Sequence, residues 1–294
     1  MNRMKIFCII NSLSGKDDID FRTVIESHFS PTNIDVVIYE LQKGCKKETI
    51  VQQIKAAAPD RVLAAGGDGT IKLIAECLVN SDIPMGILPA GSANGMAKEL
   101  GIPLDVEKAL ETFINGTIIQ IHLTKINDEI CIHLSDIGFN AFVVKKFETA
   151  EKRGMWSYVK AAWEVLWSNP RMSIQIQTDS QLIHRNAEMV VIANATKYGT
   201  GVLINPEGSL TDKCFEVIVV KKISLAEIFK MRFTHKPYDP EKTELFQTGS
   251  VKINSRKNVH FQVDGEYLGK VKTLKASIIP DAIKIITESR NLED

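Results

Sequence analysis

Three times in its first hundred residues the chain ends a short apolar stretch in a turn of small polar residues. "KIFCII" (5–10) meets "NSLSGK", "RVLAA" (61–65) meets "GGDGT", and "MGILP" (85–89) meets "AGSANG". Short β-branched runs bounded by turn residues predict buried strands. After the second and third turns a helical pattern starts at once: "TIKLIAECLVN", then "MAKELG", which Gly101 and Pro103 close. Between these units "IDVVIYEL" (34–41) predicts a strand and "KETIVQQIKAAA" (47–58) a helix ending before Pro59. "DVEKALETFING" (105–116) predicts another, with Asp105 as N-cap and Gly116 as stop. Such alternation is the mark of a parallel α/β layer.

After residue 118 the texture changes. "IIQIHLTKI", "EICIHLSDIGF", "RMSIQIQT", "AEMVVIANAT", "FEVIVVKK", "SVKINS", "VHFQVDG", "KASIIP" and "AIKIIT" follow one another, many alternating apolar and polar residues. That predicts antiparallel sheet, interrupted by helices at roughly 142–168 and 224–233. The expected organisation is an α/β domain over 1–120, rejoined by the segment 281–294, and a β-rich domain over 121–280. A length of 294 residues suits two domains.

A glycine-rich turn between strand and helix lets backbone N–H groups approach a ligand, and the helix N-terminus behind it favours negative charge. Phosphate is the natural guest. Asp68 inside "GGDGT" is repulsive to phosphate unless a cation intervenes, so the pair points to Mg²⁺–nucleotide or to a proton acceptor near a phosphoryl group. The plainer alternative is a tight turn with Asp68 as helix N-cap. The third turn offers Gly91, Ser92, Asn94 and Gly95; the first offers Asn11, Ser12, Ser14, Gly15 and Lys16. Three such turns at strand ends would face one crevice, where ligands of open α/β sheets bind.

Other features bound the function. Formal net charge is zero, with 36 basic and 36 acidic residues, which argues against general nucleic-acid binding but leaves room for a local basic patch. Five scattered cysteines without a C-x-x-C pair fit neither a disulfide framework nor a zinc site, and point to a reducing cytoplasm. The first apolar run, Ile6 to Ile10, is too short for a signal segment, and no run reaches 18 apolar residues. Trp156, Trp163 and Trp167 share one helical face near Lys145, Lys146, Lys152 and Arg153. Core packing is the plainer reading of that stripe; a lipid interface is the other. In "VDGE" (263–266), D-G is a favoured hairpin turn, while Asp264 and Glu266 are also candidate acids for a cleft. The six histidines show no ligand spacing.

Taken together, "GGDGT", "LPAGSANGMAKELGIP" (88–103), "DIGFNAFVVKKFETAEKRG" (136–154), "VIANATKYGTGVLINPEGSLTD" (191–212) and "FQVDGEYLG" (261–269) resemble the catalytic domain of the diacylglycerol kinase family, which includes bacterial lipid kinases and sphingosine and ceramide kinases. The family pattern for the second stretch is L-P-x-G-T-x-N-D-x-A-R-x-L-G-I-P. The resemblance implies an α/β nucleotide-binding domain followed by a β-sandwich-like domain, with the last segment returning to the first. It implies that ATP is held by Asn11, Ser12, Ser14, Gly15, Gly66, Gly67, Asp68, Gly69, Thr70, Gly91, Ser92 and Asn94, with Glu266 beside it. It assigns Asp264 as general base and Asp68 to Mg²⁺–ATP. The acceptor would be a lipid alcohol, met at the inner face of the membrane by a peripheral protein. β-Edge strands would allow a homodimer. The chain departs from the family at Ser12 (usually Pro), Ser92 (usually Thr) and Gly95 (usually Asp). The family's D-G-x-[LF]-D-V, tied to a structural metal in some bacterial members, reads Asp212-Lys213-Cys214-Phe215-Glu216-Val217, which leaves Asp212 as a weak metal candidate. NAD kinases share G-G-D-G-T but lack the P-x-G-[ST]-x-N turn. A nucleotide-binding regulatory module without catalysis is the other alternative.

Overall fold

The computed structural model describes residues 3–11, 19–148, 160–165, 171–196, 204–206, 208–224, 226–227, 230, 234 and 238–288. The chain divides into two compact units: Met1–His122 with Asp281–Asp294, and Leu123–Pro280.

The first unit opens with β1 (Met4–Ile10), α1 (Phe21–Phe29), β2 (Ile34–Glu40), α2 (Lys47–Ala57), β3 (Arg61–Gly66), α3 (Asp68–Cys77), β4 (Met85–Pro89), α4 (Gly95–Glu99) and α5 (Val106–Asn115). The strands run in the order β2-β1-β3-β4, all parallel. α1 has no counterpart in the sequence expectations; the Asp20 side chain caps it by accepting from the backbone N–H groups of Arg22 and Thr23. Asp105 caps α5 through the Lys108 N–H at 3.1 Å. Strands β1, β3 and β4 are buried on both faces, which is why they read as continuous apolar runs. Helix residues Ile25, Ile50, Ile74, Leu110 and Phe113 are buried with them.

The chain leaves this unit within β5 (Thr117–Ile126) and continues through β6 (Glu129–Cys131), β7 (Leu134–Gly138), α6 (Phe139–Glu148), β8 (Met172–Thr178), β9 (Leu182–Ala187), β10 (Met189–Ala193), β11 (Phe215–Val220), β12 (Thr243–Thr248), β13 (Ser250–Val263) and β14 (Glu266–Thr287). Pairing in the second unit is antiparallel. Successive strand residues face opposite ways, so β10 feeds two cores. Val190 and Ile192 join Ile137, Val217, Val219, Phe261 and Val263; Met189, Val191 and Ala193 pack with Phe139, Val143, Ala161 and Val165 under the helices. The end of β14 returns to the first unit, where Ile285 pairs parallel with Met85 of β4.

The fold is therefore α/β, with a parallel layer in the first unit and a mainly antiparallel sheet in the second. Three expectations need adjustment. The helix expected from 142 starts at Phe139, residues 160–165 are helical, and the stretches 149–159 and 166–170 lie outside the described residues. Most of the helix expected at 224–233 lies outside them as well. Trp163 is 53% exposed, so core packing does not account for it; Trp156 and Trp167 are not among the described residues. Among the described residues no helix is long and apolar enough to cross a membrane.

Candidate active site

The turns after β1, β3 and β4 stand at the carboxyl ends of neighbouring parallel strands. Asn11 links the first to the second: its backbone N–H donates to Ala65 O at 3.0 Å and its Nδ2 to Thr70 Oγ1 at 2.8 Å. Ser12, Ser14 and Gly15 lie outside the described residues. The second and third turns touch backbone to backbone. A Cβ on Gly91 would stand 2.6 Å from Gly67 Cα, and one on Gly66 would collide with the Thr70 side chain at 2.5 Å. Only glycine permits this approach. A Cβ on Gly69 would meet no atom within 4 Å, so the mouth of α3 is open space there.

Asp68 does not cap its own helix. Gly67 is the N-cap, and Asp68 is the first helical residue. Its Oδ1 accepts the Met96 N–H at 3.1 Å and ties α3 to the start of α4. Asn94, at φ +49, turns its Oδ1 onto the Gly91 N–H at 2.8 Å and sets the third turn. Ser92 is exposed beside it. One half-buried carboxylate next to a glycine cradle suits Mg²⁺, which takes one or two protein carboxylates plus phosphate oxygens.

In the second unit Asp264 and Gly265 form the two-residue turn between β13 and β14, closed by the Val263–Glu266 pair. Their φ values, +50 and +87, fit the turn that favours Asp-Gly. The hairpin also aims the carboxylate. Asp264 Oδ1 accepts the N–H groups of His133 at 2.9 Å and Leu134 at 3.2 Å; Oδ2 accepts that of Ile132 at 3.2 Å. The Cys131 thiol adds a contact at 3.4 Å. This is why "EICIHLSDIGF" breaks into β6 and β7. Residues 132 and 133 give their N–H groups to a side chain instead of a ladder. Asn194 holds the same segment, its Nδ2 donating to Ile132 O at 3.3 Å and its N–H to His133 O at 3.0 Å, while Thr124 donates to Asn194 Oδ1 at 3.1 Å. Glu266, first residue of β14, is exposed.

Sequence reasoning missed the support behind this turn. Gln262 is buried; its Oε1 accepts the Gly265 N–H at 2.7 Å, and its Nε2 donates to Asp136 Oδ2 at 2.5 Å. Asn140 donates to the same oxygen at 2.6 Å, and Ser135 donates to Gln262 O at 2.8 Å. Asp136 is fully buried, and a buried carboxylate within an apolar β pattern was the available signal. Nearby, the His260 ring stacks on Phe142 at 4.2 Å and bonds Tyr267 Oη at 2.8 Å. Burial first, then Lys270 and Lys145, pushes its pKa down to about 4.

Asp212 falls with Cys214 and Glu216, their ligand atoms within 4.8 Å of one another. The set fits Mg²⁺ poorly. Burial first, then the hydrogen bond it donates to the Asp212 carboxylate, pushes the Cys214 thiol up to about 11, and sulfur is the wrong ligand atom for so hard an ion. Buried Glu216 is already bonded by the amides of Asn205 and Gln247, at 2.5 and 3.0 Å.

Residues 5–126 match the family model for the diacylglycerol kinase catalytic domain, and residues 135–287 match the YegS C-terminal NAD kinase beta sandwich-like domain. A diacylglycerol kinase of Bacillus subtilis is 28% identical over 220 residues, spanning 71% of this chain and 72% of that one. A crystal structure of a putative diacylglycerol kinase from Bacillus anthracis shares the fold with a TM-score of 0.76 at 17% identity, covering 97% of this chain and 98% of the other. An NAD kinase from Archaeoglobus fulgidus, solved in complex with ATP, is more distant: TM-score 0.54 at 12% identity, covering 98% and 97%. Matched in order along most of its length, the chain belongs to the diacylglycerol kinase family, a family of kinases, with the YegS type of second domain.

Proposed function

We propose that the protein is a lipid kinase that transfers the γ-phosphoryl group of ATP to the hydroxyl of a lipid alcohol such as diacylglycerol. The observation that carries this reading is the contact of the Gly67 and Gly91 backbones, which sets two glycine turns side by side with α3 opening behind them. The first N–H groups of a helix lack partners within it, and phosphate oxygens satisfy them. Asn11, Gly66, Gly67, Gly69, Thr70, Gly91, Ser92 and Asn94 form the described part of the ATP site. Asp68 would hold Mg²⁺, which when bound neutralises phosphate charge.

The hydroxyl oxygen bonds to the γ-phosphorus as the bond to the β-phosphate oxygen breaks, and ADP leaves. Asp264 takes the hydroxyl proton. Its carboxylate is fixed by three backbone N–H groups, so it need not reorganise to accept. ATP as donor places the reaction in the cytoplasm. The kinship in name with the Bacillus subtilis enzyme supports a lipid acceptor; the ATP complex of the archaeal relative supports the nucleotide.

The test is transfer of γ-labelled phosphate in mixed micelles to a panel of diacylglycerol, a sphingoid base, phosphatidylglycerol and an undecaprenol-like alcohol, with NAD as soluble acceptor. Label in one lipid names the substrate. Label in NAD makes the protein an NAD kinase, and ATP binding with no transfer makes it a regulatory module.

A further inference from the structure

The hairpin that carries Asp264 has a charge pattern unlike the rest of the chain. Between residues 250 and 280 it holds Lys252, Arg256, Lys257, Lys270, Lys272 and Lys275 against two acids, Asp264 and Glu266, a basic surplus in a chain whose 36 basic and 36 acidic residues cancel as a whole. All six cations are exposed. None makes an ion pair among the described residues, although Lys146, Arg185, Lys221, Lys230 and Lys242 of the same unit all do. Lys252 and Lys275 stand directly opposite each other in the β13–β14 ladder. Like charges so placed oppose strand pairing. Leu268 is 38% exposed among them, four residues past Asp264 or about 13 Å along the strand.

We infer that the β13–β14 hairpin is a docking surface for an anionic phospholipid bilayer; the inference rests on the lipid-kinase reading for its purpose. The cations supply the attraction, since each Lys or Arg held near an anionic leaflet strengthens binding several-fold. Leu268 supplies an apolar contact at the acyl boundary, the combination interfacial segments use. The arrangement also explains why these cations have no ion pair among the described residues: pairing them within the protein would cancel the field that draws the bilayer. A nucleic acid would answer the charge but has no use for Leu268. The hairpin turn bears the proposed general base, so docking here brings that carboxylate to the surface where the acceptor hydroxyl lies.

The experiment is flotation of the full chain with phosphatidylcholine vesicles, with and without phosphatidylglycerol, for wild type, K270Q/K272Q and L268S. Equal thermal unfolding of the three shows intact folding. Wild type is expected to float with the anionic vesicles only, and less as salt is raised. K270Q/K272Q should bind them roughly tenfold or more weakly, while phosphorylating a short-chain, water-dispersed diacylglycerol at the wild-type rate. Equal flotation with neutral vesicles, or no difference between wild type and K270Q/K272Q, overturns the surface. So does a duplex oligonucleotide that binds wild type and loses K270Q/K272Q while vesicles bind neither. Charge-dependent flotation without phosphorylation of any lipid upholds the surface and removes the kinase reading.

Discussion

Asp264 makes two opposing demands on any substitution. As acceptor of three backbone N–H groups it stabilises the break between β6 and β7; as proposed base it takes a proton. Asp264→Asn keeps an oxygen for the His133 and Leu134 N–H groups, loses only the Ile132 bond and should fold, while transfer falls by roughly 10²–10⁴-fold. Asp264→Ala leaves the donors unsatisfied and should also lower stability by about 1–3 kcal/mol; steady-state kinetics with thermal melts separates the two effects. Gly91→Ala is a test in the other unit. Its methyl would meet Gly67 Cα at 2.6 Å, so the two turns must part. Calorimetry should show weaker ATP binding, with a stability loss of about 1–3 kcal/mol. Unchanged affinity would remove those turns from the nucleotide site.

At the scale of elements, β7 and β13 meet through a polar contact inside an apolar sheet. Asp136 fixes which end of the Gln262 amide faces the Gly265 N–H. Asp136→Asn can still accept there and should keep most activity. Asp136→Leu cannot, and should lower kcat more than it raises KM, because it releases the turn that aims Asp264; equal loss in both variants would contradict this. The second element-scale effect is the ring stack of α6 on β13. His260 titrates near 4 in the fold against about 6.5 unfolded. The unfolded chain therefore binds the extra proton between those values, and stability falls as pH drops from about 6.5 to 4. His260→Phe keeps a ring on Phe142 and should flatten that part of the melting-temperature profile; an unchanged profile would mean the imidazole is not neutral in the fold. Elements set by periodicity were legible: β1, β3, β4, α2 and α5 fall within a residue or so of their patterns. Those set by tertiary demand were not. The break at 132–133 exists for Asp264; β13 joins two runs that read as separate strands because register shifts between Asn254 and Val259 and between His260 and Gln262 interrupt its alternation, and β14 joins two runs across Pro280 and Asp281, the latter at φ +48.

At the scale of the molecule, the return of the chain into the first unit is what the packing requires. Ala282, Ile283, Ile285 and Ile286 of β14 are buried there, and Ala282 O accepts the Asn80 N–H at 2.8 Å. Removing everything after Pro280 deletes these four buried apolar side chains and buried Thr287; each isoleucine contributes about 1.5–3 kcal/mol. That sum approaches the whole stability of an ordinary domain. The truncated chain should lose ATP binding and become protease-sensitive over 1–122; a truncated chain that still binds ATP would contradict this. The small-residue turns after β3 and β4 were legible because glycine and small polar residues at strand ends have a local purpose. The Asp136–Gln262 support was not, because it joins residues 126 positions apart.

The most direct test of the central claim is a single-turnover comparison of wild type and Asp264→Asn, measuring ATP binding and label transfer to diacylglycerol in the same micelles. The account predicts equal ATP binding and a near-complete loss of labelled lipid in the variant. Equal rates of transfer in the two proteins would contradict it.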